Sequence, residues 1–178
     1  MDRKRLEEAL AQLPLAQYEF IDTSELTFSE RVRHVCETEC PMYGKSWACP
    51  PAVGEVAQCR ARCLHFRHAL LICTVTEVGD IANIDETLAT RAPHEAITRQ
   101  VHALVREQAS ETMALSTEAC AHCKKCTYPD APCRFPEKMY PCVESHGILV
   151  TDLAEKYGID FLPAGNIVTW FSLIFYND

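Results

Sequence analysis

Leu6, Leu10 and Leu13 fall on one face of residues 3–13 before Pro14 stops the run, which predicts a short amphipathic helix docked on the body of the protein. Tyr18 to Ile21 follows as a strand. Val56, Cys59, Cys63 and Phe66 recur at offsets of three and four, the period of a helix with one apolar face. His68 to Val75 is the near-continuous apolar run of a buried strand. Ile97, Val101, Leu104, Val105 and Ala109 mark a long helix from about Ala92 to Met113, with Pro93 suited to its first turn and the end near the apolar stretch Met113 to Leu115. Glu137 to Ser145 reads as helical turns broken by Pro141. Thr151 to Tyr157 reads as a helix with Thr151 as N-cap and Gly158 just past its end, and Ile167 to Phe175 as the last strand. Strands interleaved with helices place the chain in the α/β (or α+β) class. The expectation is a single domain over residues 1–178, a small mixed β-sheet flanked by helices, with two cysteine-rich loops meeting at one end.

The periodicity fails at residues 36 to 54, which are rich in Cys, Pro and Gly and sustain neither helix nor strand. An ordered loop there needs a source of shape other than backbone ladders, and metal would supply it. Composition strengthens the point. Eleven cysteines in 178 residues are well above ordinary usage but odd in number, and the charged N-terminus Met1-Asp-Arg-Lys-Arg-Leu-Glu-Glu-Ala-Leu10 lacks the apolar core of an export signal. Those cysteines are therefore expected in a reducing cytoplasm, where thiols in quantity mean metal. The longest apolar runs, Ala69 to Val75 and Ile167 to Tyr176, fall short of the roughly 20 residues that span a bilayer. A net charge of −8 argues against nucleic acid and anionic membranes as partners.

The strongest chemical signal is Cys120-Ala-His-Cys123-Lys-Lys-Cys126-Thr-Tyr-Pro-Asp-Ala-Pro-Cys133. A C-x2-C-x2-C tripod lets three consecutive thiolates hold three corners of a cubane, and a more distant cysteine closes the fourth. The bacterial ferredoxin run ends C-x3-C-P. Here the last gap is six residues, and Pro129 and Pro132 inside it let Cys133 swing back onto the same cluster. Four cysteines also suit zinc, but zinc sites usually come as two C-x2-C knuckles well apart in sequence. The loop is too short to pair four sulfurs as disulfides without strain.

A second constellation, Cys36-x3-Cys40-Pro-Met-Tyr-Gly-Lys-Ser-Trp-Ala-Cys49-Pro-Pro, puts three thiols within fourteen residues. Three ligands leave a position open, to be filled by Cys59, Cys63 or Cys142, by water, or by a substrate. Cys59 and Cys63 lie i, i+4 on an apolar helix face and read as small hydrophobes, and Cys73 lies inside a strand; Cys142 is the best spare candidate. Tyr43 and Trp47 would cover metal from water. Of seven histidines none has metalloprotease spacing; His122 is expected to point away from a cluster held by its flanking cysteines, and His34 is the other one to test. No dinucleotide, P-loop or serine-hydrolase motif is present, and the radical-SAM spacing C-x3-C-x2-C is absent.

Taken together, Cys36-x3-Cys40-Pro-Met-Tyr-Gly-Lys, Cys49-Pro-Pro, Cys120-x2-Cys123-x2-Cys126, Pro132-Cys133-Arg-Phe-Pro-Glu and Tyr140-Pro-Cys-Val-Glu-Ser-His-Gly147-Ile resemble the cysteine-rich predicted metal-binding family known as domain of unknown function 2284. The likeness spans nearly the whole chain. It implies a metal protein of mainly anaerobic bacteria and archaea without supplying a reaction. The cysteines at 36, 40, 49, 120, 123, 126 and 133 fall on the family's cysteine positions, while Cys59, Cys63, Cys73 and Cys142 do not. Where the family tends to read Pro-Ser-x-Glu this chain has Pro141-Cys142-Val143-Glu144, and where it tends to read Gly-Ile-Asp-Val this chain has Gly147-Ile148-Leu149-Val150.

The expected function is that of a cytoplasmic iron-sulfur protein: a [4Fe-4S] cluster on Cys120, Cys123, Cys126 and Cys133, and a second metal or cluster on Cys36, Cys40 and Cys49. It would carry electrons, or serve as a redox accessory to a larger anaerobic enzyme, docking a protein partner through its acidic surface. Two alternatives stand beside it. One is a zinc-bound interaction module whose metals hold the loops. The other is an enzyme that binds substrate at the open position of the three-cysteine site.

Overall fold

Ten of the eleven residues of the C-terminal strand face one partner strand on one side, and five of them a second on the other, so the last segment of the chain is the centre of the sheet. The computed structural model describes residues 1–120, 122–161 and 164–178. Its elements are α1 (Arg3–Leu10), β1 (Gln17–Asp22), α2 (Glu30–Thr38), α3 (Val56–Leu64), β2 (His68–Glu77), α4 (Ile84–Ala89), α5 (Arg91–Arg106), β3 (Glu111–Leu115), α6 (Val150–Tyr157) and β4 (Ile167–Asn177), with short 3-10 turns between them. The strand order is β1-β2-β4-β3. All three pairings are antiparallel, where a mixed sheet was expected.

Alternation along β2 and β4 divides the core in two. Leu70 and Ile72 of β2 and Ile174 and Tyr176 of β4 pack with Leu6 and Leu10 of α1 and Val101 and Val105 of α5. On the other face Leu71, Cys73, Phe171, Leu173 and Phe175 pack with Cys63 and Phe66 and with Val150, Leu153 and Ala154 of α6. Helices on both faces explain why these two strands read as unbroken apolar runs. Each buried Leu or Phe contributes about 1.5–3 kcal/mol.

Several elements differ from the sequence expectation, each for a physical reason. The sequence places the cysteine loop from residue 36 on, but residues 36–38 form the last turn of α2, which carries Cys36. Its buried residue is Arg33, whose guanidinium donates to the Gly54 carbonyl (2.8 Å) and the Ser145 carbonyl (2.7 Å), so it docks through hydrogen bonds rather than an apolar stripe. Among the described residues Arg33 Nε is buried without a partner. α5 ends at Arg106, and Met113 lies in the edge strand β3, whose apolar residues answer to β4. α4 buries no residue and so left no periodic signal. In α6 the N-cap is Leu149, without a side-chain bond, rather than Thr151; Gly158 closes the helix in the left-handed conformation as expected.

Gly147, also left-handed at φ 75°, closes a turn against the start of α2. Its carbonyl accepts the Ser29 N–H at 2.7 Å, and a Cβ placed there would meet Val56 Cγ1 at 3.0 Å and the Ser29 carbonyl at 3.2 Å. Gly147→Ala is expected to remove about 2–3 kcal/mol, a fall in Tm of roughly 5–10 °C. At Gly158 a Cβ meets nothing within 4 Å, so Gly158→Ala should lose only the backbone preference of about 1 kcal/mol. Equal losses in the two variants would show that crowding at Gly147 is not felt.

Candidate metal centre

The chain leaves the edge strand β3 at Leu115 and runs through Ser116 into the Cys120 loop. The loop is gathered at its base, where Ser116 N–H donates to the Pro141 carbonyl (2.8 Å) and Val143 N–H donates back to the Ser116 carbonyl (3.0 Å). This short parallel bridge brings Cys142 alongside the outgoing chain. Arg91 of α5 donates to the Ala119 carbonyl (2.8 Å), and within the loop Thr127 bonds to the Pro132 carbonyl and Arg134 to the Lys125 carbonyl.

The second cysteine stretch lies against the first. Trp47 Nε1 donates to the Ala131 carbonyl (3.0 Å), and the Trp47 ring meets Tyr128 edge to face at 4.9 Å. Cys120, Cys123, Cys126 and Cys133 line one narrow cavity of about 20 Å³, walled also by Ser46, Trp47, His122 and Phe135. Cys36, Cys40 and Cys49 line a second cavity of about 220 Å³, together with Tyr43, Glu118, Cys142 and Glu144. The seven cysteines singled out from sequence thus line two cavities, four in the first and three in the second. All eleven cysteines are free thiols. Among the described residues no three His, Cys, Asp or Glu side chains close on a point that a single ion would occupy.

The other candidates sort clearly. Cys63 and Cys73 lie in the apolar core. Cys59 is fully buried in α3, where its sulfur accepts from Arg62 Nη2 (3.1 Å) and Arg33 Nη2 (3.7 Å). His34 is exposed. His122 does not turn away: it lines the first cavity, with its ring edge to face against Phe135 at 4.8 Å. Trp47 lines the first cavity and Tyr43, itself exposed, the second. Three wall residues went unassigned in the sequence reading. Ser46 reaches the first cavity, Glu144 the second, and Glu118 is in the left-handed region (φ 56°), which disfavours a side chain. Backbone conformation of that kind leaves no sequence signature.

Electrostatics separate the thiols. Burial pushes Cys49 up to about 12, opposed by the Ser46 hydroxyl and reinforced by Cys40, Cys36 and Cys120. Cys49 lines the second cavity. Burial likewise raises Cys36, Cys120 and Cys142. Burial acts the same way on Cys126, but the N–H groups of Tyr128, Trp47 and Thr127 and the Ser46 hydroxyl outweigh it and hold that thiol below its ordinary value. Hydrogen-bond donors aimed at a sulfur stabilise thiolate, the form in which cysteine binds metal. At Cys36, Cys49, Cys120 and Cys142, where burial favours the neutral thiol, a bound metal would have to displace the proton.

No helix is long and apolar enough to cross a membrane among the described residues. Comparison with curated proteins and with solved structures gives no match. A family model described as "Predicted metal-binding protein (DUF2284)" covers residues 19–176, a span that includes all eleven cysteines and both cavities, and the chain belongs to that family.

Proposed function

We propose that this protein is an iron-sulfur electron carrier or redox accessory protein, with a [4Fe-4S] cluster held by Cys120, Cys123, Cys126 and Cys133 and a second metal centre begun by Cys36, Cys40 and Cys49. The observation that carries the reading is that four of the seven thiols line one cavity and three line another. The donor set is all sulfur, which suits iron-sulfur clusters and zinc and disfavours hard cations. A cluster of this kind supplies one-electron chemistry at a potential tuned by hydrogen bonds to sulfur and by exposure.

The chain's own residues supply that tuning. The donors around Cys126 stabilise negative charge, and Trp47 and Tyr43 in the cavity walls would limit access of water to a bound metal. Lys124, Lys125, Arg134 and Lys138 are exposed on the segment that forms the first cavity. They favour a partner presenting carboxylates there, despite the net charge of −8 on the whole chain.

Zinc is the second reading, and the narrowness of the first cavity favours it: about 20 Å³ admits one small body, so a cubane requires the loop to spread. Against zinc, the tripod spacing is that of clusters. Protein purified without oxygen is expected to be brown, with a broad visible absorption bleached by dithionite and with iron and acid-labile sulfide in near-equal amounts. Colourless protein with stoichiometric zinc would overturn the electron-transfer reading and leave the metals a structural role.

A further inference from the structure

We propose that Cys142 is the fourth thiolate of the centre begun by Cys36, Cys40 and Cys49, so that this chain closes with its own sulfur a position otherwise open to water or substrate. The inference rests on the reading that those three cysteines hold metal, and deepens it.

Three observations carry it. Cys142 lines the same cavity as Cys36, Cys40 and Cys49, and since among the described residues no three such side chains close on one point, the four sulfurs must draw together across this cavity of about 220 Å³ when metal is loaded. Its position is built in: the Ser116 bridge fixes the backbone on both sides, the Ser145 hydroxyl donates to the Cys142 carbonyl (2.6 Å), and the Ser145 N–H donates to the Cys142 sulfur (3.3 Å). An N–H···S bond of that kind orients a ligand sulfur and stabilises it as thiolate. Finally, its surroundings are not those of a space-filling cysteine. Cys63 and Cys73 sit in the apolar cluster, whereas Cys142 lines a cavity together with three other thiols, Glu118 and Glu144. Glu118 reaches that wall through backbone in the left-handed region, a strain typical of functional sites.

On metal binding the Cys142 S–H bond is replaced by a sulfur–metal bond and the proton leaves to water, with no change of oxidation state. A four-cysteine centre is closed, which suits electron transfer and removes the vacancy an enzyme acting at that metal would use.

The test uses the full chain, loaded anaerobically, with metal per chain read by elemental analysis and native mass spectrometry and each centre followed by its electron-spin spectrum. Cys142→Ala is expected to weaken retention at the second centre against a chelator at least tenfold, while the visible and spin signals of the Cys120 centre persist and report correct folding. Cys142→Ser, which keeps size and hydrogen bonding, should shift the spin signal of the second centre even if metal stays. If Cys36→Ala strips that centre but both Cys142 variants match the parent, Cys142 is no ligand. If Glu144→Gln strips it instead, the closing ligand is the carboxylate and the proposal is overturned. If Cys36→Ala holds as much metal as the parent, the underlying two-centre reading fails as well, and the two failures are told apart.

Discussion

Chelating the metal from loaded protein is expected to open the segment from about Glu118 to Pro141 while the four-stranded sheet keeps its amide protection. The asymmetry follows from where backbone hydrogen bonds lie. β2 and β4 pair over ten residues each and are covered by helices on both faces. Among the described residues between Thr117 and Tyr140, the backbone bonds are a turn from Ala131 to Thr127 and two bonds closing the turns at Phe135 to Met139. Side-chain anchors from Trp47, Arg91, Arg99, Thr127 and Arg134 add five contacts to carbonyls. A segment so poorly laddered opens with a free energy near the low end of the local scale, against roughly 5–15 kcal/mol for the whole domain. Metal–thiolate bonds would raise it toward the global value. Hydrogen exchange followed peptide by peptide, before and after chelation, should therefore show protection factors in the loop falling by several orders of magnitude, with β2 and β4 unchanged. Equal protection of the loop in both states would mean that packing alone shapes it, and the metal reading of its composition would fail.

Acid is expected to unfold the protein through its buried histidines, beginning well above the range where carboxylates protonate. His94 lies between α5 and the sheet, 1% exposed, with Nδ1 on Thr74 Oγ1 and Nε2 on Ser172 Oγ, both at 2.8 Å. Burial lowers its pKa from the ordinary 6.5 to about 4. His102 is lowered to about 4 by burial with Arg106 and Arg99 nearby, and His146 to about 3 by burial with Arg62 nearby. A histidine whose folded pKa is depressed takes up its proton first in the unfolded chain. Between pH 6.5 and 4 the unfolded state thus binds more protons, and stability falls as pH falls. At about 1.4 kcal/mol per tenfold change in proton affinity, His94 alone removes about 3 kcal/mol over that window. Asp22, Glu25 and Asp178, lowered by hydrogen bonds from Ser24, from Lys156 and Tyr157, and from the N-terminus, add their losses below their ordinary values. Glu144, raised by burial, acts in the opposite direction. Urea midpoints measured from pH 7 to pH 4.5 should decline throughout; a flat profile down to pH 5 would show that these imidazoles reach water in the folded state.

Much of this architecture was readable from periodicity, and the places where reading failed share a cause. β2, β4, α1, α3 and α6 show in sequence because each buries its own apolar residues at the period of its structure. α2 was missed because it is held by Arg33, a residue whose burial makes sense only once the Gly54 and Ser145 carbonyls are brought to it from distant segments. β3 was absorbed into the preceding helix because five residues with two buried positions carry too little pattern to set a boundary. α4 has no buried face at all.

The candidate centre divides the same way. Spacing alone grouped Cys120, Cys123, Cys126 and Cys133, and separately Cys36, Cys40 and Cys49, because thiols a few residues apart are held together by the chain itself. Folding was needed to lay Trp47 over the first group and to bring His122 to face it. Folding also carried Cys142 and Glu144, roughly a hundred residues on in sequence, to the wall of the second. Neighbours along the chain are an inheritance of covalent geometry; neighbours across it exist only because the Ser116 bridge and the packed sheet make them so.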